Sequence, residues 1–146
     1  MSGAARRIGM PELRLEPGDV EAVAPKVDAM EREAGFPLNL RSLSDDCRRF
    51  LLAIQHGGYD DTLEEYLDDY GRRDLLLDVA DTAPPETAAR IRAWVAAWDA
   101  KFVALTREVH GDNVPSLSDR EEVGFRIPKN LTPDLREGLE VWGIEL

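Results

Sequence analysis

One cysteine and two histidines among 146 residues leave little material for metal or nucleophilic chemistry. Cys47 alone cannot close an intramolecular disulfide, which fits a reducing compartment, and the expected location is the cytoplasm. Zinc requires several nitrogen or sulfur ligands, and Cys47, His56 and His110 are the only candidates of that kind. Neither histidine follows a glutamate by three residues, so the pairing that builds carboxylate-bridged two-metal bundles is missing. No glycine-rich nucleotide loop, GxSxG elbow or HExxH helix occurs, which argues against the common nucleotide, serine-hydrolase and zinc-protease sites. Neither a catalytic residue, a cofactor nor a metal is therefore assigned.

Long apolar runs are also missing. The longest, Ala93 to Trp98, falls far short of the roughly 20 residues a membrane helix needs. Met1 to Arg7 carries two arginines without the apolar stretch that follows them in a signal peptide. Basic stripes are absent too. The arginines (Arg41, Arg48, Arg49, Arg72, Arg73, Arg90, Arg92) are scattered among carboxylates, and 18 Lys+Arg against 29 Asp+Glu give a net charge of −11. Such a chain is repelled by nucleic acid and by anionic membranes, and favours a basic partner.

What remains is a globular composition, 43% hydrophobic and 32% charged, at the length of one domain. A single domain over 1–146 is expected, with a flexible tail over 1–10. Pro11 and Pro17-Gly18 bracket an alternating segment, 12–16, that suits a short strand. Asp19 is placed to cap a helix running to about Glu33, with Val20, Val23, Val27 and Met30 on one side; Pro25 offers a later start. At about 100° per residue, Leu40, Leu43, Cys47, Phe50, Leu51 and Ile54 form one stripe. Gly57-Gly58 then stops this second helix.

A third helix is expected from Asp60 or Asp61 to Tyr70, resuming after Gly71 with Leu75, Leu76 and Val79 inward. Pro84-Pro85 opens the strongest pattern, a helix over about 85–109. Its core stripe is Ile91, Trp94, Val95, Trp98, Phe102, Leu105 and Val109. Residues 112–131 lose this period, apart from a possible strand over 123–127 that would pair with 12–16. Thr132-Pro133 opens a short last helix with Leu135, Leu139 and Trp142 on one face. The fold class expected is all-α or nearly so: a bundle of five to six helices around the 85–109 helix, with a minor two-stranded element.

Structural roles account for most reactive side chains. Cys47 sits in an apolar stripe, where a free thiol packs as a small hydrophobe. His56 and His110 each precede glycine and suit helix C-termini, where a cationic ring meets the dipole favourably. Trp94 and Trp98 belong to the core arc. Trp142, near the end of the chain, has surface to spare for a partner or for another copy of the chain.

The segment from Tyr59 to Tyr70 stands apart. With Asp60 at 0° and about 100° per residue, Asp60, Asp61, Glu64, Glu65, Asp68 and Asp69 fall between about 0° and about 180°. Leu63, Tyr66, Leu67 and Tyr70 fall opposite. Acids early in a helix suit its dipole, and later ones repel at i,i+4, relieved if Asp68–Arg72 and Asp69–Arg73 pair across Gly71. The pattern fits a solvated face or a docking surface for a basic protein, with Tyr59 and Tyr66 as anchors at its edge. Calcium chelation fits poorly, because the spacing is not that of an EF-hand and carboxylates on a rigid helix rarely converge.

The stretch Phe50 to Tyr70, with Arg73-Asp74-Leu75-Leu76 and Asp99 to Thr106, resembles a group of small, uncharacterised, acidic helical bacterial proteins. In size, acidity and helical content the chain is also similar to immunity proteins of bacterial toxin systems. That likeness implies a non-enzymatic module that neutralises a basic protein; separately, a monomer or weak homodimer is expected. The competing expectation is a small enzyme or ligand-binding bundle with a pocket between helices.

Overall fold

A computed structural model describes residues 9–146, and the greater part of the expected tail, residues 1–8, lies outside the described residues. Met10 belongs to the core, 4% exposed, so the tail stops short of it. Among the described residues the chain forms α1 (Pro17–Ala34), α2 (Leu40–Gln55), α3 (Leu63–Thr82), α4 (Pro85–Leu105), β1 (Thr106–Glu108), β2 (Arg126–Pro128) and α5 (Pro133–Val141). The fold is mostly helical with one small antiparallel sheet, as the periodicity predicts. No described helix is long and apolar enough to cross a membrane.

Residues 11–16 are not a strand. They cross the bundle without a sheet partner, held where Trp94 Nε1 donates to the Pro11 carbonyl (2.9 Å) and Arg48 Nε to that of Met10 (2.9 Å). Glu16, and not Asp19, is the N-cap of α1. Pro17 fills the first turn, where its missing N–H costs nothing, and the Asp19 carboxylate accepts from the Glu16 amide at 2.7 Å. The helix runs on through Pro25. It buries Val23, Val27 and Met30 but leaves Val20 exposed, against expectation.

The α2 stripe is buried as its spacing predicts, from Leu40 to Ile54, with Asn39 capping the start and Gly57 following in the left-handed conformation (φ 67°). The third helix starts later than expected. Thr62 is its N-cap, its hydroxyl accepting from the Glu65 amide at 3.2 Å, so Asp60 and Asp61 precede the helix. Thereafter α3 runs unbroken through Gly71, packing on α1, α2, α4 and α5.

On α4, Ile91, Trp94, Val95, Trp98 and Phe102 are buried as their stripe requires. Trp98 and Phe102 stack with centroids 5.2 Å apart, and Phe50 and Tyr66 meet edge to face at 5.3 Å. The helix ends at Leu105, four residues early. Arg126, arriving from the far side of the irregular loop, donates to the carbonyls of Val103 (3.3 Å) and Thr106 (3.0 Å), at the end of the helix where intrahelical donors run out. Thr106 then turns extended, and β1 pairs with β2 in the register Thr106↔Pro128, Arg107↔Ile127, Glu108↔Arg126. The two-stranded element thus exists, but the partner of the 123–127 region is 106–108 and not 12–16. Val109 is buried through this extended run, and His110 is an exposed loop residue beside Glu108 (3.5 Å), not a helix cap.

Candidate functional site

The expected binding residues separate into two environments. Asp60, Asp61, Glu64, Glu65 and Asp68 are exposed. Tyr59 and Tyr66 are not edge anchors: they are 7% and 0% exposed, packed against Phe50 and each other. Tyr66 donates its hydroxyl to the Arg126 carbonyl at 2.6 Å, so the ring that periodicity places on the apolar side is fully committed to the core. Burial pushes both phenols up, and Tyr59 is raised further by its neighbour Asp69.

Asp69 leaves the acidic face altogether. Its carboxylate accepts from the Tyr59 hydroxyl at 2.7 Å and lines a cleft of about 320 Å³ between α2 and α3, together with Asp46, Arg49 and Arg72. Burial raises its pKa, opposed by the Tyr59 hydrogen bond and by Arg72, with Asp61 and Asp46 adding to the rise. The anticipated i,i+4 pairs along α3 do not form. Arg72 reaches Asp46 on α2 (3.6 Å) and lies over the Phe36 ring, while Arg73 turns into the protein.

Arg73 is the electrostatic centre of the other end of α3. Its guanidinium, 6% exposed, grips Asp99 of α4 in a fork (2.7 and 2.8 Å), and also meets Asp74 (3.0 Å) and Glu121 (2.6 Å). Asp74 in turn accepts from the Ser118 hydroxyl and the Asp119 amide (3.0 Å), pinning the irregular loop onto α3. Arg120 from that loop contacts Asp78 and Asp81, and Arg92 adds a second contact to Asp81 at 3.1 Å. These arginines lower the pKa of Asp81.

The start of α3 shows the reverse. Among the described residues, no lysine, arginine or histidine forms an ion pair with Asp60, Asp61, Glu64, Glu65 or Asp68. Sequence reasoning missed that α5 extends this face. Thr132 donates its hydroxyl to the Tyr59 carbonyl at 2.6 Å, and Gly138 lets α5 close on α3: a Cβ there would lie 3.1 Å from Leu63 Cβ. Asp134 and Glu137 of α5 thereby join Glu64 around one shallow groove of about 320 Å³ whose other walls are Thr62, Val141 and Trp142. The available signal was Val141, which at about 100° per residue lies about 120° off the Leu135 direction and so faces out.

Cys47 is fully buried in α2, its thiol pushed up by burial and its carbonyl accepting from Trp98 Nε1 at 2.9 Å. His56 caps α2 at its C-terminus as expected. Among the described residues no group of three or more His, Cys, Asp or Glu side chains converges to hold a metal ion. Compared with protein-family profiles, curated proteins and solved structures, the chain matches none.

Proposed function

We propose that this chain is a non-enzymatic, acidic protein-binding module that engages a basic protein, in the manner of an immunity or antitoxin protein neutralising its partner. The observation that carries it is the uneven compensation of charge along α3. Each acid in the second half of the helix is held by an arginine, whereas the exposed acids at its start have none among the described residues. Unpaired carboxylates on a rigid helix repel one another and present a fixed field that steers a cationic surface and loses strength with salt. A cytoplasmic setting agrees with the single buried thiol.

The test uses an oligolysine peptide and calorimetry across a salt series. The wild-type chain binds with a steep salt dependence, and the D61K/E65K/D68K variant, unchanged in helicity, loses binding. Equal affinity and equal salt slope in the variant would show the acidic face to be no more than a solvated surface.

The α2–α3 cleft supports a second reading, a ligand-binding bundle. Its charges are already matched within it, Arg49 and Arg72 against Asp46 and the Tyr59 hydroxyl on Asp69, so an incoming ligand has to displace existing contacts.

A further inference from the structure

The groove between the start of α3 and α5 has a composition unlike the rest of the acidic face. Its acids, Glu64, Asp134 and Glu137, share the lining of the groove with Gly138, Val141 and Trp142. Val141 is 79% exposed and Trp142 40%, the first of these the most exposed large apolar side chain described. Arg136, the basic residue of α5, does not line it. Contiguous apolar surface ringed by charge marks an interaction site more often than scattered single residues do. Gly138 is what lets the two helices approach closely.

We infer that this groove seats one aliphatic side chain of a basic protein partner, while lysines or arginines flanking that side chain meet Glu64, Asp134 and Glu137. This rests on the binding-module reading and adds the apolar anchor point that the acidic face alone lacks. Charge selects the occupant. A second copy docked through the same groove would bring the same carboxylates face to face, and nucleic acid or an anionic membrane would meet them with further negative charge. A cationic segment with an aliphatic residue at its centre meets both the carboxylates and the apolar side chains, with the apolar contact supplying affinity and the charges supplying orientation.

Two oligolysine peptides of equal charge distinguish the groove from the face. One carries a central leucine and the other a central serine in its place. Trp142 reports occupancy through its fluorescence, since Trp94 and Trp98 are 8% and 0% exposed. The leucine peptide is expected to bind about tenfold more tightly and to shift the Trp142 emission to the blue, and Val141→Ser is expected to abolish the difference. Equal, salt-sensitive binding of the two peptides would overturn the groove and leave the acidic face standing. A leucine preference that survives Val141→Ser would likewise overturn it. Binding of neither peptide would overturn both the groove and the binding-module reading.

Discussion

In the second half of α3, Asp74, Asp78 and Asp81 each lie against an arginine; in the first half, Glu64, Glu65 and Asp68 point into solvent with none in ion-pair range among the described residues. The first half carries the denser run of acids, but the sequence alone does not show which acids an arginine compensates. The difference comes from what the fold brings alongside. The 117–121 loop and α4 deliver Arg120, Arg92 and Asp99 to the far end, and their charges lock loop to helix. At the near end the fold delivers α5, which adds Asp134 and Glu137 to carboxylates already there. Charge at one end is compensated within the fold, and at the other the described residues supply no ion-pair partner.

Breaking the compensated end has the largest expected effect. Arg73→Ala leaves Asp74 and Asp99 without their shared guanidinium, and removing one member of a buried charge cluster costs about 3 kcal/mol, to be read from chemical denaturation. Asp19→Ala ranks next. Its carboxylate, buried between α1 and α4, accepts from Arg90 (2.6 and 2.9 Å) and from Thr87, so its loss costs about 2 kcal/mol by the same measurement.

The Asp19 contribution also has a defined pH dependence. The Arg90 hydrogen bonds, helped by Thr87 and the Glu16 amide against the cost of burial, hold its carboxyl far below the ordinary value of 3.8. A depressed folded-state pKa stabilises fully above the unfolded value and is lost as pH falls through the folded one. Melting temperature therefore declines below about pH 4 in the wild type, and less steeply in Asp19→Ala.

Asp69 gives a smaller effect of opposite sign. Its pKa is raised, so its ionised form is held at a cost near neutrality; that cost begins to fall as pH drops through the raised value and is gone below the ordinary value of 3.8. Asp69→Asn keeps an oxygen to accept from Tyr59 and removes the buried charge. A gain within about 1 kcal/mol is expected at pH 7, shrinking on acidification, in thermal melts at both pH values. Smallest per site is D61K/E65K/D68K, at about 0.5 kcal/mol or less for each position, because no folded-state ion pair is broken.

The elements with a strong period were legible in the sequence. Leu40 to Ile54 and Ile91 to Phe102 form their stripes by spacing alone, and their burial follows. The acidity of the α3 face was equally plain. Features set by distant contacts were not. The end of α4 depends on Arg126, a residue outside that helix, which meets its last carbonyls and lets Thr106 turn into β1. Residues 126–128 pair with 106–108, and not with 12–16, a non-local choice that periodicity does not encode. Tyr59 and Tyr66 were misread as edge anchors because a phenol's position on a helical wheel does not reveal whether its hydroxyl finds a buried acceptor; Asp69 and the Arg126 carbonyl provide these. The groove with α5 was not legible because it depends on a tertiary contact, the close approach of Gly138 to Leu63.

Whether the start of α3 carries charge that a basic partner would meet is decided by reversing the same number of acids at each end of the helix. The affinity of an oligolysine peptide is measured by calorimetry for D61K/E65K and for D78K/D81K at a common ionic strength. Both changes shift net charge equally. The uneven compensation predicts that D61K/E65K abolishes binding with little change in melting temperature, while D78K/D81K retains binding and melts lower because Arg120 and Arg92 lose their partners. Equal losses of binding from the two ends would show that the peptide senses only overall charge, and would contradict the assignment of the face.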